Sequence, residues 1–234
     1  LSGVFTLDSI NPDRVLISTS IGVLESLDGL ATNPTQLFGV GGTAIASATY
    51  QGAYRFDPSF PNVADAGSSA YDNGTIYTSN GSTIQVTKNR GVNWVSRGIT
   101  NNNNVPLGSI SGLAVDGRNR DTVLATRNAY DNEGKVFFST DAGRTWRDIT
   151  ANLQADGPLA VWSIAVDSRN GNAYIGTDRG VFSAVRDSTG SYSSWTRVGS
   201  SAGGTSLANV QVRDVVLNQA ANTLTIATYG RGVF

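Results

Sequence analysis

Short runs rich in Val, Ile, Thr, Tyr and Phe recur along the chain, and Gly, Asn or Asp interrupts them every few residues. No 3.6-residue apolar period is sustained, so the pattern predicts an all-β chain without a long helix. One unit repeats: an apolar run ending in a carboxylate or amide, then a second β-branched run. Residues 4–7 lead to Asp8 and then to 15–17, and 113–115 lead to Asp116 and then to 123–125. In the same way 164–166 lead through Asp167 to 173–175, and 215–217 through Asn218 to 224–226. Such side chains bond backbone amides two residues on, so each copy predicts a strand, an Asx turn and a second strand.

A threonine followed by glycine marks the next turn: Thr19 with Gly22, Thr49 with Gly52, Thr177 with Gly180, and Thr228 with Gly230 and Gly232. Thr78 with Gly81 and Thr126 with Gly134 are variants of altered loop length. Glycine supplies the positive φ that tight hairpins demand. A third piece follows at residues 139–146, where Ser139, Asp141, Gly143, Thr145 and Trp146 are spaced as S-x-D-x-G-x-T-W. Thr87, Asn89, Gly91 and Trp94 repeat it. Degenerate copies stand at Ser26 and Asp28, with no tryptophan following, and at 187–195, with stretched spacing.

Strand, Asx turn, strand, Thr–Gly hairpin, strand, Asp-containing hairpin and strand make a four-stranded antiparallel unit. Its repetition predicts a β-propeller. The threonines are spaced by 30, 29, 48, 51 and 51 residues. The later units fit full blades. The two short spacings predict one complete blade plus a degenerate one, or two reduced ones. Residues 1–234 are therefore expected to form a single propeller domain, or part of a larger one, with five to six blades' worth of chain. The sequence stops at Phe234 inside an expected third strand, which leaves an unpaired edge. Either the strand near Val4 closes that blade as a clasp, or further chain does. A chain without methionine that starts at Leu1 is expected to be a processed product or a piece of a longer protein.

The motif at residues 139–146 resembles the Asp-box, or bacterial neuraminidase repeat. That repeat occurs in β-propellers of sialidases, xyloglucanase-type glycoside hydrolases, sortilin-like receptors and a photosystem assembly factor. The closing Ala-Thr-Tyr-Gly-Arg-Gly-Val-Phe, 227–234, is similar to the final blade of the xyloglucanase- and sortilin-like branch. The resemblance implies a propeller over nearly the whole chain and a structural role for the box. The residue chemistry agrees. Asp141 or Asn89 can accept bonds from turn amides, Ser139 or Thr87 can bond locally, and Gly143 or Gly91 takes the strained position. The tryptophan buries roughly 150–250 Å², so Trp146→Ala should cost about 3–5 kcal/mol.

Composition removes several chemistries. The chain has no histidine and no cysteine, which excludes Ser-His-Asp triads, imidazole acid–base catalysis, disulfides and thiolate metal sites. Lys and Arg number 17 against 18 Asp and Glu without a basic stripe, so nucleic acid and anionic membrane are poor partners. No apolar run approaches the roughly 20 residues of a spanning helix. No cofactor or metal is expected, because 131–133 and 101–104 supply oxygen ligands without calcium-loop spacing. Abundant Gly, Ser, Thr and Asn with two lysines, Lys88 and Lys135, suggests a secreted or cell-surface protein.

Sialidase chemistry needs an arginine cluster and a Tyr–Glu pair, whereas the two glutamates here, Glu25 and Glu133, read as solvated turn charges. An inverting glycosidase needs carboxylates about 6.5–9.5 Å apart. The aspartates outside turns and boxes (Asp57, Asp65, Asp72, Asp148, Asp156 and Asp214) suggest no such pair. The reading is a non-catalytic module; the alternative is a fragment of a xyloglucanase-like glycoside hydrolase propeller.

Counting five residues back from Asp8, Asp116, Asp167 and Asn218 gives Gly3, Ser111, Trp162 and Arg213, at the opposite mouth from the Asx turns. The family's functional face is that mouth, and the loops leading to it, 101–109, 151–160 and 199–208, are long and polar. Trp162 and Arg213 are not demanded by the repeat. With Asp214 and Ser111 they form the candidate ligand site, suited to stack a sugar or clamp a carboxylate. The competing reading is that Trp162 plugs the central channel. The expected partner is a glycan or a protein, with self-assembly or packing against the rest of a longer chain as the structural alternative. The sequons at Asn73 and Asn80 permit glycosylation.

Overall fold

A computed structural model describes residues 3–53, 56–63, 66–199 and 209–234 of the chain. Blade 1 comprises β1 (Gly3–Leu7), β2 (Val15–Thr19), β3 (Gly22–Ser26) and β4 (Thr35–Phe38). Blade 2 comprises β5 (Ala44–Ser47), β6 (Ile76–Ser79), β7 (Ile84–Thr87) and β8 (Val95–Ser96). Blade 3 comprises β9 (Ile110–Val115), β10 (Val123–Arg127), β11 (Val136–Ser139) and β12 (Arg147–Asp148). Blade 4 comprises β13 (Val161–Val166), β14 (Ala173–Thr177), β15 (Gly180–Ala184) and β16 (Thr196–Arg197). Blade 5 holds β17 (Val212–Asn218), β18 (Thr223–Thr228) and β19 (Gly232–Val233). Every sheet is antiparallel, and the innermost strands β1, β5, β9, β13 and β17 pack side by side in that order. The fold is a five-bladed β-propeller. Its one helical turn among the described residues is a 3-10 segment, Ala151–Gln154, on the way into β13.

The Asx turns form as the sequence predicts. Asp8 Oδ1 accepts the amides of Ile10 and Asn11, and Asp116 and Asp167 accept those of Arg118 and Arg169. The early blades differ from the expectation. Thr49 is not a blade hairpin: the chain leaves β5 at Ser47, makes an excursion over 48–75 in which Tyr50 bridges Tyr71, and returns as β6. Both early blades are therefore four-stranded, and the short threonine spacings came from counting Thr49 as a repeat position. The clasp is also excluded, since β1 pairs only with β2.

Four apolar clusters fill the four successive blade interfaces. Leu16 and Val23 meet Ile45 and Ile76 between blades 1 and 2, and Tyr77 and Val86 meet Leu113 and Val123 between blades 2 and 3. Leu124 and Phe138 meet Ile164 and Ile175 between blades 3 and 4, and Val181 meets Val212 and Ile226 between blades 4 and 5. Among the described residues no such cluster joins blade 5 to blade 1. Phe5, Leu7, Val216 and Val233 on those two blades stay exposed.

The octapeptide is a clasp closed by its own side chains. Ser139 Oγ donates to Asp141 Oδ1 at 2.8 Å and accepts the Gly143 amide, while Asp141 takes both the amide and the hydroxyl of Thr145. Thr87 and Asn89 reproduce all of these bonds but the last hydroxyl one, and Ser26 and Asp28 all but the last amide one. Each of the three box tryptophans donates its indole N–H into the preceding blade: Trp94 to Leu37 O, Trp146 to Arg97 O and Trp195 to Ile149 O. The clasp thus staples consecutive blades.

Glu25 is not a solvated turn charge. It is buried, bonds Arg14 Nε at 2.7 Å and Arg90 Nε at 2.7 Å, and Arg14 also reaches Asp8 at 3.0 Å. The Asp8 pKa is held low: burial works against this, but bonds from Tyr71, the Asn11 and Ile10 amides and Arg14 outweigh it. Both lysines are buried too, Lys88 against Asp121 at 2.5 Å and Lys135 against Asp131. Glu133 is half-buried and accepts a bond from Asn101 Nδ2 at 3.0 Å. Of the remaining aspartates, Asp57 and Asp72 are buried against Arg97 and Arg120, and Asp65 lies outside the described residues.

Candidate functional site

The starts of β9, β13 and β17 lie at one mouth, together with the hairpins β10–β11, β14–β15 and β18–β19. In each of these three inner strands one residue is skipped by the ladder. Thr126 pairs Gly112 and Arg127 pairs Ile110, which leaves out Ser111. Thr177 pairs Val161 and Gly176 pairs Ser163, which leaves out Trp162. Thr228 pairs Val212 and Ala227 pairs Asp214, which leaves out Arg213. The three residues found by counting back from the Asx turns are thus the three bulge residues. A bulge re-aims a side chain out of the sheet's alternation. β1 keeps regular pairing at Gly3.

The bulges bring Trp162 and Arg213 together across the blade 4–5 boundary. The Arg213 guanidinium carbon lies 3.7 Å from the Trp162 ring centroid and 5.8 Å from that of Tyr229, which is exposed. Arg213 Nε donates to Gln211 Oε1 at 2.9 Å, and its two terminal nitrogens have no hydrogen-bond partner among the described residues. Trp162 is half-buried, and its indole nitrogen is buried without a partner.

Asp214 and Ser111 share the mouth but are already engaged. Asp214 Oδ1 accepts the Ser163 hydroxyl and the Val215 amide, both at 2.9 Å. Ser111 Oγ donates to the Val161 carbonyl at 2.6 Å and sits 3.1 Å from Thr126 Oγ1. Both bonds tie one blade to the next or fix a bulge. Of the loops expected to lead here, 200–208 lie outside the described residues.

Besides Tyr229, two residues absent from the sequence-based candidate set belong to this mouth. Asp178, in the β14–β15 turn, is anchored by its amide bond to Ala160 O, two residues before Trp162, and its Oδ1 is buried without a partner. Tyr130, from the β10–β11 loop, lies beside the Asp178 carboxylate without closing a bond of normal geometry. Burial first, then this carboxylate, raises the Tyr130 pKa. Arg179 donates to the Pro158 carbonyl at 3.0 Å. A signal for Asp178 and Tyr229 was present. They follow Thr177 and Thr228 where blade 1 has Ser20, so the hairpin tip also varies from blade to blade. A concavity of about 520 Å³ lies elsewhere, along Asn132, Asp148, Thr150 and Gln154 on blade 3. Its Thr150 hydroxyl already accepts the Lys135 and Val136 amides, and Asp148 caps Thr150, so it offers little free chemistry.

No family model and no curated protein matches the chain. Solved structures do. A GH74 enzyme of Niastella koreensis superposes with a TM-score of 0.62 at 16% identity, over 96% of this chain and 33% of that one. PorZ, a bacterial surface component of the type-IX secretion system of Porphyromonas gingivalis, gives 0.56 at 17% identity, over 99% and 32%. The extracellular domain of BT4673 from B. thetaiotaomicron gives 0.55 at 13% identity, over 97% and 25%. The likeness is one of fold. The chain spans a quarter to a third of the length of these proteins.

Proposed function

We propose that this chain is a non-catalytic β-propeller module of a secreted or cell-surface protein, and that it binds a glycan or protein partner at the mouth formed by Trp162 and Arg213. The observation that carries this reading is the set of bulges at Ser111, Trp162 and Arg213. Inner strands that obey the ladder elsewhere break register at one level and turn an aromatic ring and a guanidinium toward each other. A tryptophan that only plugged a channel would not need an arginine with unpaired terminal nitrogens on its face. The hairpin at 139–146 is read as an Asp-box, and its bonds leave its polar groups committed to structure. Two structural neighbours, an extracellular domain and a bacterial surface component, support the location. The GH74 neighbour keeps a second reading in play, a fragment of a glycoside hydrolase.

A glycan microarray probed with the wild-type chain and with Trp162→Ala and Arg213→Ala tests the reading. Binding that both variants abolish, with unchanged circular dichroism, is the expected result. Binding that neither variant alters removes the mouth as the site.

A further inference from the structure

The mouth contains a definite set of unsatisfied groups, drawn from two blades. Arg213 contributes two terminal nitrogens without hydrogen-bond partners among the described residues, and Trp162 a buried indole N–H without a partner. Asp178 contributes a buried carboxylate oxygen without a partner, beside the Tyr130 hydroxyl. Buried polar groups left unpaired cost free energy, so a ligand that pairs them gains more than one that merely fills space.

These groups are not of one kind. A guanidinium edge with free nitrogens suits a carboxylate, which it meets with two parallel bonds. Its face already rests on Trp162, so the fork is held in place before a ligand arrives. Asp178 has the opposite demand: its free oxygen takes a donor and repels a bare anion. The matching ligand carries both a carboxylate and a hydroxyl. Tyr130 and Tyr229, both exposed, flank the charged groups with flat apolar faces of the sort that cover the C–H face of a pyranose ring. A peptide carboxyl terminus supplies the anion but offers those rings no rigid apolar face.

Resting on the mouth as the binding site, we infer that its ligand is an acidic sugar, a uronate residue of a glycan. Its carboxylate sits on the Arg213 terminal nitrogens, and pairing Trp162 Nε1 with that carboxylate and Asp178 with a ring hydroxyl requires a local side-chain movement that uncovers these two buried atoms. Arg213 then sets the preference for acid over neutral sugars. Trp162 acts as the platform that holds the guanidinium, and Asp178 rejects anions that lack a hydroxyl.

Isothermal titration calorimetry on the intact chain tests this, with trimers of galacturonate and of glucuronate, their neutral galactose and glucose counterparts, and a tripeptide with a free carboxyl terminus. At least one uronate trimer should bind about tenfold or more tighter than its neutral counterpart, and the difference should shrink in high salt. Arg213→Gln should erase the preference while leaving residual sugar binding. Trp162→Phe, which keeps a ring and removes the N–H, should weaken uronate binding several-fold without unfolding the blade. Asp178→Asn should narrow the gap between uronate and the tripeptide. The inference is overturned if neither uronate binds, if neutral trimers bind as tightly, if the tripeptide binds more tightly, or if Arg213→Gln leaves the preference intact. Neutral-glycan binding that is lost in Trp162→Ala would overturn the acid preference alone and leave the mouth as the binding site.

Discussion

The Arg213 guanidinium lies 3.7 Å from the centre of the Trp162 ring, although the two residues belong to different blades. Both leave the strand ladder to reach this contact. Arg213 is exposed and Trp162 half-buried, so the pair belongs at the weaker end of cation–π energies. A double-mutant cycle with Arg213→Gln and Trp162→Phe, read by urea unfolding, should give a coupling of about 0.5–1 kcal/mol. A coupling indistinguishable from zero would mean that the stacking does not hold the guanidinium in place.

The three box tryptophans should not be equivalent. Trp195 is 3% exposed, whereas Trp94 and Trp146 are only partly buried. Trp195→Ala should therefore cost about 3–5 kcal/mol. Trp146→Ala should fall below the range that its sequence motif alone suggests, since half-exposed rings bury less area. Chemical denaturation of the two variants ranks them, and the reverse order would contradict the burial argument.

Leu30 occupies the glycine position of the degenerate box at φ 70°, as Gly143 does at 76° in the best copy. A left-handed backbone costs a residue with a side chain roughly 1–2 kcal/mol, part of which glycine returns as unfolded-state entropy. Leu30 is exposed, so removing its side chain gives up little packing. Leu30→Gly should raise stability by up to about 1 kcal/mol. Gly143→Ala should lower it by about 1–2 kcal/mol, because the new Cβ also meets the Trp146 ring at 3.0 Å. Melting temperatures that move the same way in both variants would refute this.

Stability should be flat across neutral pH, since the chain has no histidine. On the acid side, Asp8, Asp131 and Asp141 have lowered pKa values: burial opposes each shift, and bonds from Tyr71, Lys135 and the Thr145 amide respectively lead the groups that overcome it. Such groups stabilise above the ordinary aspartate value of about 3.9, and that stabilisation is lost as pH falls through the lowered values. On the alkaline side, burial pushes Tyr71 and Tyr192 up to about 12, with the Asp8 carboxylate adding to the shift at Tyr71. A raised tyrosine stabilises below its ordinary value of about 10, and the effect is lost as pH rises from there toward 12. Urea midpoints measured from pH 2 to 12 should trace this plateau. A transition between pH 5 and 8 would point to a titrating group outside this account.

The sequence by itself determined the blade. Side-chain alternation, an Asx turn two residues long, a Thr–Gly hairpin and a self-closing Ser–Asp clasp are all local, so each is written in neighbouring residues. Because the repeat keeps its phase, counting back from Asp116, Asp167 and Asn218 also reached Ser111, Trp162 and Arg213. Only the tertiary structure decided what is not local. Thr49 belongs to an excursion and not a hairpin because its partner is Tyr71's segment and not the next strand. Glu25, Lys88 and Lys135 are buried because charges supplied by distant segments, or by a turn folded back on itself, meet them where blades pack. Asp178 and Tyr130 enter the mouth because blades 3 and 4 stand side by side around one axis. Proximity of that kind comes from blade packing, which no single blade's sequence encodes.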